Sequence, residues 1–107
     1  MSSDTLASLA ATIKARREAV ADTSYTRKLL DGGPQRCAKK LGEEAAETVI
    51  AGVAGTDDEL RAEAADLLYH LLVLLECRGV ALADVMGVLA GRMGTSGIAE
   101  KASRGHG

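Results

Sequence analysis

Two pairs of carboxylates flank a short glycine-containing link, and this arrangement constrains the fold more than any other feature of the chain. Glu44 and Glu47 precede the link over residues 50–56, whereas Glu63 and Asp66 follow it. Side chains three residues apart on a helix are neighbours, so each pair can face one point. If the two helices pack antiparallel at about 8–10 Å, both pairs meet at one site. The pattern therefore predicts a helical hairpin with four converging carboxylates.

Four carboxylates in one cleft repel one another. Two like charges about 4 Å apart interact unfavourably by several kcal/mol even at an effective dielectric constant of about 20. Such a group must take up protons, pair with bases or bind a cation. All-oxygen ligands suit hard divalent ions. The hairpin therefore predicts a Mg²⁺ site, with Mn²⁺ as a substitute ion.

The residue composition favours helices. The chain has two Tyr, one Pro and neither Phe nor Trp. Alanine and leucine favour helices, whereas strands prefer β-branched and aromatic residues. The 107 residues are enough for one domain. We therefore expect a single all-α domain over residues 1–107, a compact bundle of four to five helices, with residues 94–107 as a C-terminal tail that is loosely ordered by composition.

Capping signals indicate where the helices begin and end. Thr56 and Glu59 form a capping-box pattern, and Gly79 is a helix stop. One of the two glycines at 32–33 can end a short helical turn, and Pro34 suits the first position of the following helix. The predicted helices begin near Asp4, continue as a short turn over 27–30, and then span 34–52, 57–78 and 81–93.

Apolar spacing predicts which helix faces are buried. On the third helix the predicted buried stripe consists of Cys37, Leu41, Ala45 and Val49, with Thr48 as a further candidate. On the fifth helix Met86 and Met93 fall on the apolar stripe, and we interpret them as residues that fill gaps in the core.

The apolar run over residues 67–75 is hydrophobic on nearly every side of its helix. A chain of this length has difficulty burying such a helix completely, so we expect the run to lie between the subunits of a homodimer or higher oligomer. The run is shorter than the ~20 residues of a membrane-spanning helix, and no membrane association is expected. His70 interrupts it on the face of Glu63 and Asp66. We favour a core histidine hydrogen-bonded to a neighbour over a metal or substrate role.

Charge is distributed unevenly along the chain. The formal net charge is −2 and aromatic stacking surfaces are few, so nucleic acid is not an expected partner. Residues 27–40 contain five bases and one acid, whereas residues 43–66 contain eight acids and one base. This succession suggests a site that handles a metal and an anion together. The charged residues that we assign to a solvated helix face are Asp57, Asp58, Glu59 and Arg61.

The two cysteines and the N-terminus indicate the cellular compartment of the protein. Cys37 and Cys77 lack the spacing of zinc ligands, so we interpret both as reduced packing residues. The N-terminus has no basic leader followed by an apolar run, so no signal peptide is expected. These features predict a cytoplasmic protein.

Three segments carry a family resemblance. They read Ser24-Tyr-Thr-Arg-Lys-Leu-Leu-Asp-Gly-Gly33, Lys40-Leu-Gly-Glu-Glu-Ala-Ala-Glu-Thr48 and Glu63-Ala-Ala-Asp-Leu-Leu-Tyr-His70. With them the chain resembles the phosphoribosyl-ATP pyrophosphatase family, within the all-α nucleoside-triphosphate pyrophosphohydrolases that include MazG-like enzymes and dimeric dUTPases. The likeness covers residues 6–104. The Tyr-Thr-Arg-Lys segment and the tail Ser96-Gly-Ile-Ala-Glu-Lys-Ala-Ser-Arg104 narrow it to this member of the group.

The resemblance implies a reaction and a set of site residues. The reaction is Mg²⁺-dependent hydrolysis of phosphoribosyl-ATP to phosphoribosyl-AMP and pyrophosphate, the second step of histidine biosynthesis. Glu43 is implied to orient or deprotonate the attacking water. The implied metal ligands are Glu44, Glu47, Glu63 and Asp66. A triphosphate also needs positive charge, and the implied substrate-binding bases are Arg27, Lys28, Lys39, Lys40, Lys101 and Arg104.

Two alternatives to this function remain open from the sequence. The first is a MazG-like housecleaning hydrolase of non-standard nucleoside triphosphates, which would use the same carboxylates. The second is a non-catalytic helical dimer that a bound metal stabilises. The resemblance further implies a functional, partly ordered tail. Because the chain begins at Met1 without room for the cyclohydrolase domain fused to many relatives, we expect a free-standing activity.

Overall fold

The helix signals of the sequence are matched by the structure. The computed structural model describes residues 2–19 and 24–94, and within these ranges the chain forms five helices and no strand. This confirms the all-α prediction for the described residues. The first helix begins two residues before Asp4, a difference within the usual spread of helix ends. The helices are α1 (Ser2–Glu18), α2 (Tyr25–Asp31), α3 (Gly33–Ala54), α4 (Asp57–Cys77) and α5 (Leu82–Met93).

The predicted capping features are present at both ends of α4 and at the start of α3. The Thr56 hydroxyl accepts a hydrogen bond from the Glu59 N–H at 3.1 Å, and the Glu59 carboxylate accepts one from the Thr56 N–H at 2.8 Å. Gly79 follows α4 with φ 71°, and Gly33 directly precedes Pro34 with φ 84°. Glycine populates this left-handed region without steric cost. The capping box and the glycine stop are therefore confirmed.

The hydrophobic core lies between α1, α2, α3 and the C-terminal half of α4. Its central side chains, which are almost completely buried, are Ile13, Leu29, Cys37, Leu72 and Val73. Each fully buried aliphatic side chain contributes about 1.5–3 kcal/mol to stability. The most extensive helix pairing joins α3 to α4. This core holds the two carboxylate-bearing helices side by side.

The hairpin of α3 and α4 is antiparallel. Gly52 near the end of α3 faces Leu60 near the start of α4, whereas Thr48 faces Glu63 one turn further from the link. The two-residue connection between Ala54 and Asp57 is within the length range of helical hairpins. The predicted doubling back of the chain is therefore confirmed.

The predicted stripe on α3 is correct at its start and wrong at its end. Cys37 is buried, but Val49 is 66% exposed, and Ala51 is buried instead. Successive steps of four residues each rotate about 40° beyond a full turn of an α-helix, so Val49 lies about 120° around the helix from Cys37. A stripe drawn with steps of four alone therefore leaves the buried face.

Helix α5 lies at the margin of the fold. Its first residue, Leu82, packs against the core cluster. Further along, Met86 and Met93 are 37% and 83% exposed. The interpretation of these methionines as core-filling residues is therefore wrong within a single chain, because α5 continues away from the helices that form the core.

The apolar run over 67–75 extends from the core to the surface of α4. Leu72 and Val73 are buried, whereas Leu68 is exposed. None of the helices within the described ranges has the length and apolar character needed to cross a membrane. The predictions for the tail, including Lys101 and Arg104, fall outside the described residues.

The two cysteines are free thiols. Cys37 is buried, and its Sγ donates a hydrogen bond to the Leu29 carbonyl at 3.2 Å. Burial raises the pKa of the Cys37 thiol to about 11, with a smaller contribution from neighbouring Cys77. A thiol with such a pKa is unreactive at neutral pH. This confirms the interpretation of Cys37 as a packing residue.

Candidate metal centre

Helices α3 and α4 bring together three of the four predicted metal ligands. Carboxylate oxygens of Glu44, Glu63 and Asp66 all lie within 4.8 Å of one another. Asp66 follows Glu63 by three residues and therefore shares its side of α4. Glu44 approaches both from α3. Three carboxylate oxygens gathered from two helices can serve as ligands of one cation.

Glu47 lies beside this group of three and interacts with it electrostatically. Burial raises the pKa of Glu44 and of Glu63, and at both residues the negative charge of Glu47 and a hydrogen bond with it raise the pKa further. Like charges at short range disfavour simultaneous ionisation. We refer to Glu44, Glu47, Glu63 and Asp66 as the inner acids.

Two oxygens of the inner acids lack hydrogen-bond partners. Glu44 Oε2 and Glu63 Oε1 are inaccessible to solvent, and no group of the described residues donates a hydrogen bond to either. A buried polar atom without a partner costs about 1–3 kcal/mol, and more when it is charged. A divalent cation with oxygen preference would satisfy both atoms and reduce the repulsion between the carboxylates. The inner acids therefore fit Mg²⁺.

Thr48 joins the two helices next to the inner acids. Its hydroxyl lies 2.8 Å from the Glu44 carbonyl oxygen of its own helix and 3.1 Å from the Glu63 carbonyl oxygen across the hairpin. The hydroxyl has one proton to donate, and both carbonyl oxygens lie within hydrogen-bond distance of it. This contact sets the separation of the backbones that carry Glu44 and Glu63. Sequence reasoning found Glu44 and Glu63 but not the role of Thr48, whose only signal was its position one turn after Glu44.

Glu43 forms an ion pair instead of joining the inner acids. Lys40 Nζ lies 3.1 Å from Glu43 Oε1. Hydrogen bonding and charge attraction within this pair raise the pKa of Lys40 and lower the pKa of Glu43. Glu43 is consequently ionised at neutral pH and can accept a hydrogen bond from water. The lowered pKa also makes it a weaker base.

A basic groove borders Glu43 on the N-terminal half of α3. The open cleft has a volume of about 510 Å³. Sequence reasoning named Lys39 and Lys40 in this region but missed two further lining residues, Gln35 and Arg36. Arg36 lies one helical turn before Lys40, and this spacing was the signal that could have identified it.

The two predicted bases of α2 are placed differently. The Arg27 Nε donates to Asp31 Oδ1 at 2.9 Å, and its Nη1 donates to the carbonyls of Arg16 and Ala19. Arg27 thus satisfies main-chain acceptors at the end of α1 and holds α2 against it. Lys28 is exposed on the surface of α2.

His70 is buried and belongs to a partly buried polar network between α2 and α4. Its Nδ1 donates to the Asp66 carbonyl oxygen at 2.8 Å, and its Nε2 accepts from the Tyr25 hydroxyl at 3.2 Å. The hydroxyls of Thr26 and Tyr69 lie 2.5 Å apart. Both ring nitrogens of His70 have protein partners, which confirms the interpretation as a hydrogen-bonded core histidine. The spacing of the sequence did not predict the Tyr25–His70 contact because it joins distant segments.

Comparison with known proteins shows the family of this chain. A model of the phosphoribosyl-ATP pyrophosphohydrolase family matches residues 6–93. The chain is 59% identical over 97 residues to the phosphoribosyl-ATP pyrophosphatase of Cereibacter sphaeroides strain KD131, an alignment that covers 91% of this chain and 94% of that protein. It is 58% identical over 99 residues to the enzyme of the same name from Dinoroseobacter shibae, covering 92% and 97%. The corresponding protein of Nitrobacter winogradskyi is 57% identical over 100 residues, covering 94% and 86%. The chain therefore belongs to the phosphoribosyl-ATP pyrophosphohydrolase family.

Proposed function

We propose that this protein hydrolyses phosphoribosyl-ATP to phosphoribosyl-AMP and pyrophosphate as the second step of histidine biosynthesis. The proposal assigns Mg²⁺ as the cofactor, with Mn²⁺ as a substitute, and the inner acids as its ligands. It is supported by family membership and by the names of relatives that are nearly 60% identical.

One observation carries the metal assignment. The buried, unpartnered oxygens of Glu44 and Glu63 belong to the same group of converging carboxylates as Asp66. A cluster that served only to solubilise the helix would expose its oxygens to water. Converging carboxylates with buried free oxygens are costly unless they bind a cation. The favoured occupant is a hard divalent ion, because all candidate ligand atoms are oxygens.

The chemistry requires that negative charge be neutralised at the scissile phosphoanhydride. Water attacks phosphorus, the bond between the first and second phosphates breaks, and pyrophosphate leaves with the bridging oxygen. When bound, Mg²⁺ supplies charge neutralisation and polarises the phosphate oxygens. The inner acids hold this charge at a defined place on the hairpin, and Thr48 keeps their backbones at a constant separation.

Residues beside the inner acids complete the proposed site. Glu43 accepts a hydrogen bond from the attacking water and orients it, because its lowered pKa keeps it ionised. Lys39 and Lys40 offer positive charge to the phosphates from the basic groove. In this proposal Lys28 is a further phosphate contact. Arg27 contributes indirectly, because its hydrogen bonds hold α2 against the end of α1. The tail bases Lys101 and Arg104 remain candidates for substrate binding.

A pyrophosphate-release assay tests the function. Purified protein should release pyrophosphate from phosphoribosyl-ATP with Mg²⁺ and should lose this activity when a chelator removes the ion. Comparison of kcat/KM for phosphoribosyl-ATP and for a panel of free nucleoside triphosphates separates this function from a housecleaning hydrolase. Metal-dependent melting with no pyrophosphate release from any nucleotide would instead support a non-catalytic dimer.

We also infer that the protein is a cytoplasmic homodimer. Apolar side chains are exposed on one side of α4 and along α5, namely Leu68, Met86, Val88, Leu89 and Met93. Burial of such a patch between subunits is favourable. The free thiols of Cys37 and Cys77 suit a reducing compartment. Light scattering at micromolar concentration should give the dimer mass, and a non-aggregating monomer would contradict the inference.

A further inference from the structure

One face of α3 changes its chemistry in three steps along the helix. Residues spaced alternately by three and four on an α-helix point in nearly the same direction, and eighteen residues complete five turns. The face therefore runs for about 27 Å and begins with bases, continues with acids and ends with apolar residues. Its members in chain order are Arg36, Lys40, Glu43, Glu47, Ile50 and Ala54.

The basic end of this face is an open groove suited to an anion. Arg36, Lys39 and Lys40 line the cleft of about 510 Å³ together with Gln35 and Glu43. Glu43 offsets the charge of Lys40, to which it is paired. Arg36 and Lys39 are exposed positive side chains of this groove.

The opposite end is a second cleft of about 400 Å³ between α3 and α4. Its walls are largely apolar and include Ile50, Ala54 and Ala62. The charged groups among its described lining residues are the carboxylates of Glu47, Glu59 and Glu63, and two of these, Glu47 and Glu63, belong to the inner acids. A phosphate chain would be repelled there. A planar base and a sugar would cover the apolar walls, and their N–H and O–H groups can donate to carboxylates.

We propose that the substrate lies along this face with its pyrophosphate end in the groove beside Arg36 and its adenosine end in the cleft beside Ile50 and Ala62. The inference rests on the proposed function and adds a direction and two sets of specificity residues to it. The scissile bond is then held next to the inner acids. The reversed direction places the triphosphate, the more strongly charged end of the substrate, among carboxylates and leaves only the single phosphate of the phosphoribosyl group for the basic groove.

Ligands that represent the two halves of the substrate test this direction. Binding of pyrophosphate and of phosphoribosyl-AMP is measured by isothermal titration calorimetry with saturating Mg²⁺. Ala62→Leu fills the cleft and Ile50→Ala removes one of its walls. Each should weaken phosphoribosyl-AMP binding by about fivefold to tenfold and leave pyrophosphate binding unchanged. Arg36→Gln should weaken pyrophosphate binding by about tenfold and affect phosphoribosyl-AMP less.

A matched substitution on α5 controls for an added leucine. Ala83 is exposed and lines neither cleft, so Ala83→Leu should bind both ligands like the unaltered protein. Circular dichroism checks that every variant is folded. The inference is overturned if neither ligand binds the unaltered protein, if the cleft variants weaken both ligands equally or neither, or if the pattern is reversed. Calorimetry measures binding without turnover. A failure to release pyrophosphate would therefore contradict the proposed function without deciding the direction of binding.

Discussion

The α3–α4 hairpin carries two groups of acids that differ in surroundings far more than in sequence. The outer acids Asp57, Asp58 and Glu59 lie in the first turn of α4 and are exposed. Asp58 pairs with Arg61 at 2.5 Å, and Glu59 accepts the Thr56 N–H. The helix dipole further stabilises negative charge at this end. By contrast, two of the inner acids have buried oxygens without partners.

This difference shows why acidic composition alone identifies no site. Asp58 and Glu59 have partners within the first turns of their own helix, so their environment does not depend on a second helix. The inner acids face a second helix that carries further carboxylates. Burial and the negative charges of Glu47 and Asp66 raise the pKa of both Glu44 and Glu63. Carboxylates that raise one another's pKa in this way form a candidate cation site, whereas the outer acids do not.

The largest expected effect is on the rate of pyrophosphate release, and it distinguishes the inner acids from the outer acids. Asp66→Asn should lower the rate of pyrophosphate release by about 100-fold or more, since one electrostatic group at a reacting centre has an effect of this size. Asp58→Asn, an identical change among the outer acids of the same helix, should leave the rate nearly unchanged. Rates are measured with saturating Mg²⁺, and circular dichroism confirms helicity. Full activity of Asp66→Asn would remove it from the ligand set.

The next effect concerns stability and pH without metal. The pKa values of Glu44 and Glu63 are raised in the folded state, so the folded protein binds their protons more tightly than the unfolded chain. Their contribution to stability is complete below the ordinary Glu pKa and is lost as pH rises through the raised values. The pKa of Glu43 is lowered in the folded state, so Glu43 has the opposite effect: its contribution to stability is present above the ordinary Glu pKa and is lost as pH falls through the lowered value.

We therefore expect the metal-free melting temperature to depend on pH through the inner acids. The double variant Glu44→Gln/Glu63→Gln should melt higher than the unaltered protein at neutral pH without metal, because it lacks the repulsion. Its advantage should shrink as the pH is lowered through the raised pKa values of Glu44 and Glu63, because these carboxylates of the unaltered protein then take up protons. Scanning calorimetry at several pH values measures this difference. A constant difference across this range would contradict the electrostatic account.

A smaller effect is expected for the contact between the helices. Thr48→Val removes the hydroxyl shared by the Glu44 and Glu63 carbonyls and should lower the free energy of unfolding by about 1 kcal/mol. Thr12→Val is the matched control, because Thr12 is exposed and its hydroxyl donates a hydrogen bond to the Ser8 carbonyl oxygen within the same helix. Urea denaturation measures both variants. Equal loss in both would mean that the contact across the hairpin adds nothing.

The smallest effect is expected among the outer acids. Arg61→Gln breaks the ion pair with Asp58, in which both side chains are mostly exposed. Exposed pairs contribute about 0.5 kcal/mol or less to stability, since water screens them. Urea denaturation should show a change of this size, and pyrophosphate release should be unaffected. A loss above about 1 kcal/mol would show that the outer acids are not simply solvated.

Much of the fold could be predicted because helix signals are local. The capping box at Thr56 and the glycine at position 79 act on neighbouring backbone groups, so they were readable without tertiary contacts. The spacing of Glu63 and Asp66 follows from the helical repeat alone. The exposure of Val49 and of Met93 could not be read in this way. Exposure depends on which other helices cover a face, and that is decided by the packing of the whole chain.

The sequence by itself determined that the chain forms helices, where most of them begin and end, and that carboxylates recur at one-turn spacing on two of them. Only the tertiary structure decided that Glu44 lies close to Glu63 and Asp66. It also decided that Glu43 pairs with Lys40 and that His70 forms a hydrogen bond with Tyr25. The physical reason is range. Hydrogen bonds of a helix join residues four apart, whereas the charge, burial and coordination of a site depend on side chains that the packed core brings together.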